Sequence, residues 1–194
     1  MPAVQGDIKM EKETTHCRIF QDSEKNMVAL QEIFNLGRYH PYHEGHNPNF
    51  DKFSRLILDV KDQRIKGINY FTNRLRSILS DTEEYVICVT PTHAVGTAPS
   101  GIRTIAKQLC SYPTIDGTDV ISRAFEIPKK TIGGSRDMQL EIKSLAVMNE
   151  NVARGRQVLL LDDVTTTGTS LKAGKYRIEQ SGAEIVVLLA LART

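Results

Sequence analysis

Three runs of apolar residues stand out along the chain, at 84–89, 157–161 and 184–192. None alternates apolar with polar. Each therefore reads as a strand buried on both faces, as in a parallel sheet. Around them the period is helical. Residues 101–111 place Ile102, Ile105, Ala106 and Leu109 on one face, and Ser100 stands where a cap is needed. The helical pattern of 171–180 ends near Ser181 and Gly182, and Gly182 suits the left-handed position after a helix. Earlier, 48–60 carry Phe50, Phe53, Leu56, Ile57 and Val60 on one face, with Asn47 or Asn49 as the cap. Residues 68–79 turn Ile68, Phe71, Leu75, Ile78 and Leu79 inward.

Weaker patterns fill the rest. Residues 119–125 are a further strand candidate, and 138–151 fit either a short helix or a strand around 144–147. Short strands are expected within 16–21 and 27–42. Residues 38–49 are loop-like, 1–15 read as a flexible tail, and 128–137 read as a basic, Gly-containing mobile loop. Strands alternating with helices from residue 84 onward predict an α/β domain with a mainly parallel central sheet flanked by helices.

Bulk properties fit one domain. The chain has 194 residues, 40% hydrophobic and 25% charged, enough to bury a core. The net charge of +2 does not by itself argue for nucleic acid. Cys17, Cys88 and Cys110 are odd in number and far apart, and the last two sit in apolar patterns. Buried thiols and a cytoplasmic, reducing compartment follow as expectations. The polar N-terminus lacks a signal-peptide core, and no apolar run reaches the length of a membrane span.

The chemistry concentrates in Val158-Leu159-Leu160-Leu161-Asp162-Asp163-Val164-Thr165-Thr166-Thr167-Gly168-Thr169-Ser170. A buried strand is expected to end at Leu161. Two carboxylates follow, then a hydroxyl-rich turn that opens a helix. Ligands of open α/β sheets bind beyond the carboxyl ends of strands. Such a turn aims backbone N–H groups and the positive end of a helix dipole at one point, which suits a phosphate. It is not a Walker loop, because no Gly-Lys-Ser/Thr occurs. An ordinary strand-to-helix turn with two surface acids is the bland alternative. Neighbouring residues on a strand face opposite ways, so Asp162 and Asp163 would not share one task by default.

These thirteen residues resemble the phosphoribosyl pyrophosphate (PRPP) motif of type I phosphoribosyltransferases. The resemblance extends most specifically to ComF-like competence phosphoribosyltransferases, through residues 155–194. Upstream, Tyr39-His40-Pro41-Tyr42, Leu58-Asp59-Val60-Lys61, Val89-Thr90-Pro91, Ser122-Arg123 and 136–139 are also similar to elements of that family. The cysteine-rich zinc ribbon of many ComF-like proteins is missing. So is their Arg-Gly-Phe-Asn segment, in whose place 99–104 supply only Arg103 as a base.

The resemblance implies a type I phosphoribosyltransferase (Rossmann-like) fold over 16–194, with a small N-terminal hood at about 17–51 that selects the acceptor. It implies transfer of a phosphoribosyl group to a nitrogen nucleophile with release of pyrophosphate. Asp162 and Asp163 would serve as the catalytic acids, hold the ribose hydroxyls and bind Mg²⁺, partly through water. Val164, Thr165, Thr166, Thr167, Gly168 and Thr169 would cradle the 5-phosphate, with no positive side chain required. Thr90, Pro91, Thr92 and His93 would form the pyrophosphate loop, with His93 or Arg103 adding charge, and Lys129, Lys130 and Arg136 would belong to a flap. The expected partners are PRPP and a second copy in a homodimer. A ComF-like regulatory or DNA-processing protein that keeps the PRPP site, with nucleic acid or competence machinery as partner, is the alternative. An ammonia-using transferase ranks last. His40, His43 and His46, with His16 and Cys17, lack a recognised zinc spacing and more simply pack at the entrance of the site.

Overall fold

The computed structural model describes residues 33–79, 83–127 and 137–194. The elements, in order, are β1 (Ile33–Asn35), a 3-10 turn (His43–Gly45), α1 (Lys52–Lys61), α2 (Ile65–Arg76), β2 (Val86–Val89) and α3 (Gly101–Leu109). Then come β3 (Ile115–Asp116), β4 (Ile121–Arg123), α4 (Met138–Lys143), β5 (Leu145–Val147), α5 (Glu150–Ala153), β6 (Gln157–Thr165), α6 (Thr169–Gln180) and β7 (Ile185–Arg193).

Five strands form one parallel sheet in the order β1-β7-β6-β2-β3. The continuous apolar runs are explained by what lies on each face. In β6, Leu159 and Leu161 face one core with Ile87, Val89, Val187 and Leu189 of the neighbouring strands. That core is closed by Ile57, Val60, Phe71, Leu75 and Ile105 of α1, α2 and α3. Val158 and Leu160 face a second core with Val86, Cys88, Val186 and Leu188, closed by Leu171, Ala173 and Ile178 of α6. A strand with a core on both sides has no polar face to alternate with. The expected α/β architecture, a mainly parallel sheet flanked by helices, is therefore what the chain forms.

Two expectations are corrected, those for 138–151 and for the cap of α1, and the strand pairing adds detail to the rest. The expected strand at 119–125 is β4, and it leaves the main sheet to pair antiparallel with β5, Ile121 opposite Val147 and Arg123 opposite Leu145. The edge of the main sheet is instead β3, two residues long and too short to leave a pattern. Residues 138–151 hold both a helix and a strand rather than one of them. The cap of α1 is Asp51, whose Oδ1 accepts from Ser54 N at 2.7 Å. Asn47 is engaged elsewhere, donating from its side chain to Pro41 O at 2.7 Å.

Residues 16–21, and 17–32 of the expected hood, lie outside the described residues. The next part of that stretch joins the main sheet, because Ile33–Asn35 pair with Leu188, Leu189 and Ala190 of β7. Residues 36–51 then run beside the start of α1, where His40 N donates to Ser54 Oγ at 3.0 Å. His43 and Glu44 take left-handed φ values of 45° and 55° in the 3-10 turn.

Candidate active site

The site is built at the carboxyl end of β6. That strand does not stop at Leu161 as expected. It runs on to Thr165 because β7 continues beside it, with Asp162 opposite Ala190, Val164 opposite Ala192 and Thr165 opposite Arg193. On its other side, pairing with β2 ends at Val89–Leu161. Past that point Thr90 closes the gap with one backbone bond, N to Leu161 O at 2.9 Å. The acids thus lie on a strand with one paired edge and one open edge.

A cavity of about 250 Å³ occupies that open edge. Asp162 and Asp163 both line it, together with Thr90, Pro91, Thr92, His93, Lys61, Ser100, Val164 and Ser170. The opposite-face argument for adjacent residues is overridden here, because a cavity at a strand's edge is reached from either face. Each acid spends one oxygen locally: Asp162 Oδ1 accepts from Asp163 N at 2.9 Å, and Asp163 Oδ1 from Val164 N at 2.6 Å. The other oxygen of Asp163, Oδ2, lies 3.7 Å from Lys61 Nζ. All four residues expected in the pyrophosphate loop are in this lining. The loop leads into α3, whose N-terminus is capped by Ser100 accepting from Arg103 N at 3.3 Å. Gly101 is required there: a Cβ would stand 2.0 Å from Val60 O. That close approach brings the end of α1, and so Lys61, beside the start of α3.

Arg103, considered as a charge for the loop, points elsewhere. Its Nη1 donates to Asp119 Oδ1 at 2.9 Å and also to Thr118 O. The residue is buried against the connection from β3 to β4. Among the described residues the cation beside the acids is Lys61, and the His93 imidazole shares the same lining.

The hydroxyl turn lines a second cavity, of about 370 Å³, on the β7 side of the same strand end. Its walls are Thr165, Thr166, Thr167, Gly168, Lys172, Arg193, Ile33 and Asn35. Gly168 has φ +78°, and its carbonyl accepts from Lys172 N at 2.9 Å, so α6 starts with its first-turn N–H groups at the turn. Thr167 Oγ1 and Thr169 Oγ1 are 2.8 Å apart, and Thr166 Oγ1 and Thr194 Oγ1 are also 2.8 Å apart. Two of the six expected cradle residues stand outside this lining. Val164 faces the acids' cavity, and Thr169 is buried beneath the turn.

Sequence reasoning missed Lys61, Lys172 and Arg193 as site residues. Lys172 follows Gly168 by four positions, which returns it to the same side of the helix, and that signal was available. Arg193 and Lys61 arrive through tertiary packing. Lys129, Lys130 and Arg136 lie outside the described residues. Among the described residues no three His, Cys, Asp or Glu side chains gather as a metal cage. The two acids fit Mg²⁺ in another way, because that ion is usually held by one or two carboxylates plus substrate phosphates and water.

No protein-family model matches the chain. It is similar to an adenine phosphoribosyltransferase of Treponema denticola, 34% identical over 67 residues, which are 34% of this chain and 35% of that enzyme. The chain thus spans about a third of the length of that relative. Similarity to the adenine phosphoribosyltransferase of Clavibacter michiganensis subsp. michiganensis is longer, 28% identity over 156 residues, covering 75% of this chain and 87% of that enzyme. Among solved structures, a phosphoribosyltransferase from Corynebacterium diphtheriae superposes with a TM-score of 0.37 at 19% identity, over 71% of this chain and 79% of that one.

Proposed function

We propose that the chain is a type I phosphoribosyltransferase that binds PRPP with Mg²⁺ and transfers its phosphoribosyl group to a nitrogen nucleophile. The observation that carries the reading is the pair of cavities flanking one strand end. One is lined by both acids and the expected pyrophosphate loop, the other by the hydroxyl turn. A ribose with phosphates at both ends uses both. Its 5-phosphate meets the Thr165–Thr167 hydroxyls, the N-terminus of α6, Lys172 and Arg193. Its hydroxyls meet the carboxylates of Asp162 and Asp163. Its pyrophosphate meets the 90–93 loop and Lys61.

The bond from the anomeric carbon to pyrophosphate oxygen breaks, a C–N bond forms, and the acceptor nitrogen gives up its proton. Charge develops on the departing pyrophosphate. Donors already aimed at it stabilise that charge without having to reorganise. Mg²⁺, when bound, supplies further charge neutralisation on the phosphate oxygens. The rest of the catalysis is positioning by Asp162, Asp163 and the turn. Similarity to adenine phosphoribosyltransferases over most of the chain supports a purine-like heterocycle as acceptor, with adenine the first to test.

One observation supports a second reading. Arg103, the single base of 99–104, is turned away from the acids' cavity, which among the described residues leaves the pyrophosphate half sparsely charged. That would suit a ComF-like protein that binds PRPP for regulation or DNA processing. Pyrophosphate release in the presence of PRPP, Mg²⁺ and a panel of nitrogen bases separates the two. Acceptor-dependent release supports the transferase. PRPP binding without release, together with steeply salt-dependent binding of single-stranded DNA, supports the second reading.

A further inference from the structure

Arg123 and Glu141 form an ion pair inside the protein, with side chains 1% and 0% exposed. Nη1 of Arg123 lies 3.3 Å from Glu141 Oε2, and Nη2 lies 3.5 Å from Oε1. The same guanidinium holds the pyrophosphate loop by its carbonyls. Nε donates to Thr92 O at 2.9 Å and Nη2 to Pro91 O at 3.3 Å. The backbone of Arg123 exchanges bonds with Gly96 in both directions, at 2.9 and 3.4 Å, and Ile127 N donates to His93 O at 3.2 Å. Three successive carbonyls, of Pro91, Thr92 and His93, are therefore drawn toward the β4 side.

In a planar trans peptide the N–H points opposite to the carbonyl. The N–H groups of Thr92, His93 and Ala94 are thus turned away from β4, and Thr92 and His93 line the cavity that holds the acids. A row of backbone N–H groups turned one way is an anion-binding concavity. Glu141 carries the connection further. Its Oε1 accepts from Ser170 Oγ, in the first turn of α6, and Ser170 also lines the acids' cavity.

We infer that Arg123 is a positioning residue that aims the 90–94 backbone at an anion, and that the Arg123–Glu141–Ser170 chain couples the pyrophosphate loop to the 5-phosphate turn. The inference rests on the ligand reading proposed above. An anion that fixes one loop fixes the shared pair, so the other loop meets its own anion already ordered. By linkage the enhancement is the same in both directions.

Calorimetry on the full chain tests this with two separate probes. They are magnesium pyrophosphate and 1,4-anhydroribitol 5-phosphate, a ribose phosphate lacking the anomeric hydroxyl and so leaving room for pyrophosphate. In the wild type each probe is expected to tighten the other roughly fivefold or more, the lower end of known coupling between sites. Arg123→Lys keeps the charge but loses the fork, and is expected to weaken pyrophosphate about tenfold, more than it weakens the sugar phosphate. Glu141→Gln, or the milder Ser170→Ala if the first fails to fold, is expected to bring the coupling factor toward one. Variants with a lowered unfolding midpoint but wild-type affinities and coupling would make the pair merely structural and overturn the inference. Wild-type protein that binds both probes independently overturns the coupling alone. Wild-type protein that binds neither overturns the ligand reading as well.

Discussion

Lys61 Nζ lies 3.7 Å from Asp163 Oδ2, and 5.5 Å from the centre of the Tyr39 ring. Lys61 is the last residue of α1, and Asp163 stands where β6 has lost its β2 neighbour. The helix end and the strand end therefore share one cavity. The side chains are 38% and 29% exposed, so the pair contributes little to folding. Lys61→Met should shift the urea unfolding free energy by less than about 1 kcal/mol. It should weaken PRPP binding about tenfold, or ~1.4 kcal/mol, because the proposed pyrophosphate subsite then loses a cation. A large stability change with unaltered PRPP binding would assign Lys61 to the scaffold.

The buried pair behaves in the opposite way. Removing one partner leaves an uncompensated charge inside, so Arg123→Met or Glu141→Leu should each cost about 3–5 kcal/mol of stability. The double variant should be more stable than the sum of the two, since both charges disappear together. Arg154 and Glu150 provide a control, because that pair is 61% and 52% exposed. Arg154→Ala should change stability by only about 0.5 kcal/mol. A double-mutant cycle in urea checks all of these.

Gly168 holds φ +78° at the start of α6. An L residue pays about 1–2 kcal/mol for that conformation. An added Cβ would also stand 2.2 Å from Ile33 Cδ1, the movable end of its side chain. Gly168→Ala should therefore lower stability by about that amount, and lower phosphate affinity further as the turn shifts. Gly168→Asn, which tolerates left-handed backbone, should lose less stability. Equal losses for the two would argue against backbone conformation as the cause.

Burial, and next the charge of Asp116, pushes the Cys88 thiol up to about 12 from an ordinary value of 9.0. The folded state thus holds this proton more tightly than the unfolded chain does. Between those two values unfolding releases a proton, so this contribution is complete below pH 9 and is lost as pH rises toward 12. Urea midpoints should fall as pH rises from 9 to 10.5, with a slope of at most ~1.4 kcal/mol per pH unit from this thiol. Cys88→Ala should flatten part of that slope. An unchanged slope would show that Cys88 ionises freely in the folded protein.

Much of the fold was legible because burial on both faces leaves a simple trace. The runs around Val86, Leu160 and Leu188 could be read as central strands, and Ser100 and Gly182 do the capping work expected of them. What was illegible depends on pairing rather than on pattern. Nothing in Asp162 to Thr165 announces that β7 will keep β6 extended through the acids. The two residues of β3 are too few to carry a period, and β4 has an apolar start that fits either sheet. In the candidate site, the acids, the turn and the 90–93 loop are local motifs that could be singled out from the sequence, and the structure gathers them at one strand end. Lys61, Arg193 and the Arg123–Glu141 pair come together from distant parts of the chain. The turning away of Arg103 was equally hidden, since it is decided by Thr118 and Asp119 on another connection.

The most direct measurement is thermal or chemical unfolding with and without PRPP and Mg²⁺, in the wild type and in Asp163→Asn. PRPP at a hundred times its Kd should add about 2.7 kcal/mol to wild-type stability, and that gain should be largely lost in Asp163→Asn. No PRPP-dependent gain in the wild type, or an equal gain in Asp163→Asn, would contradict a PRPP site built on this strand end.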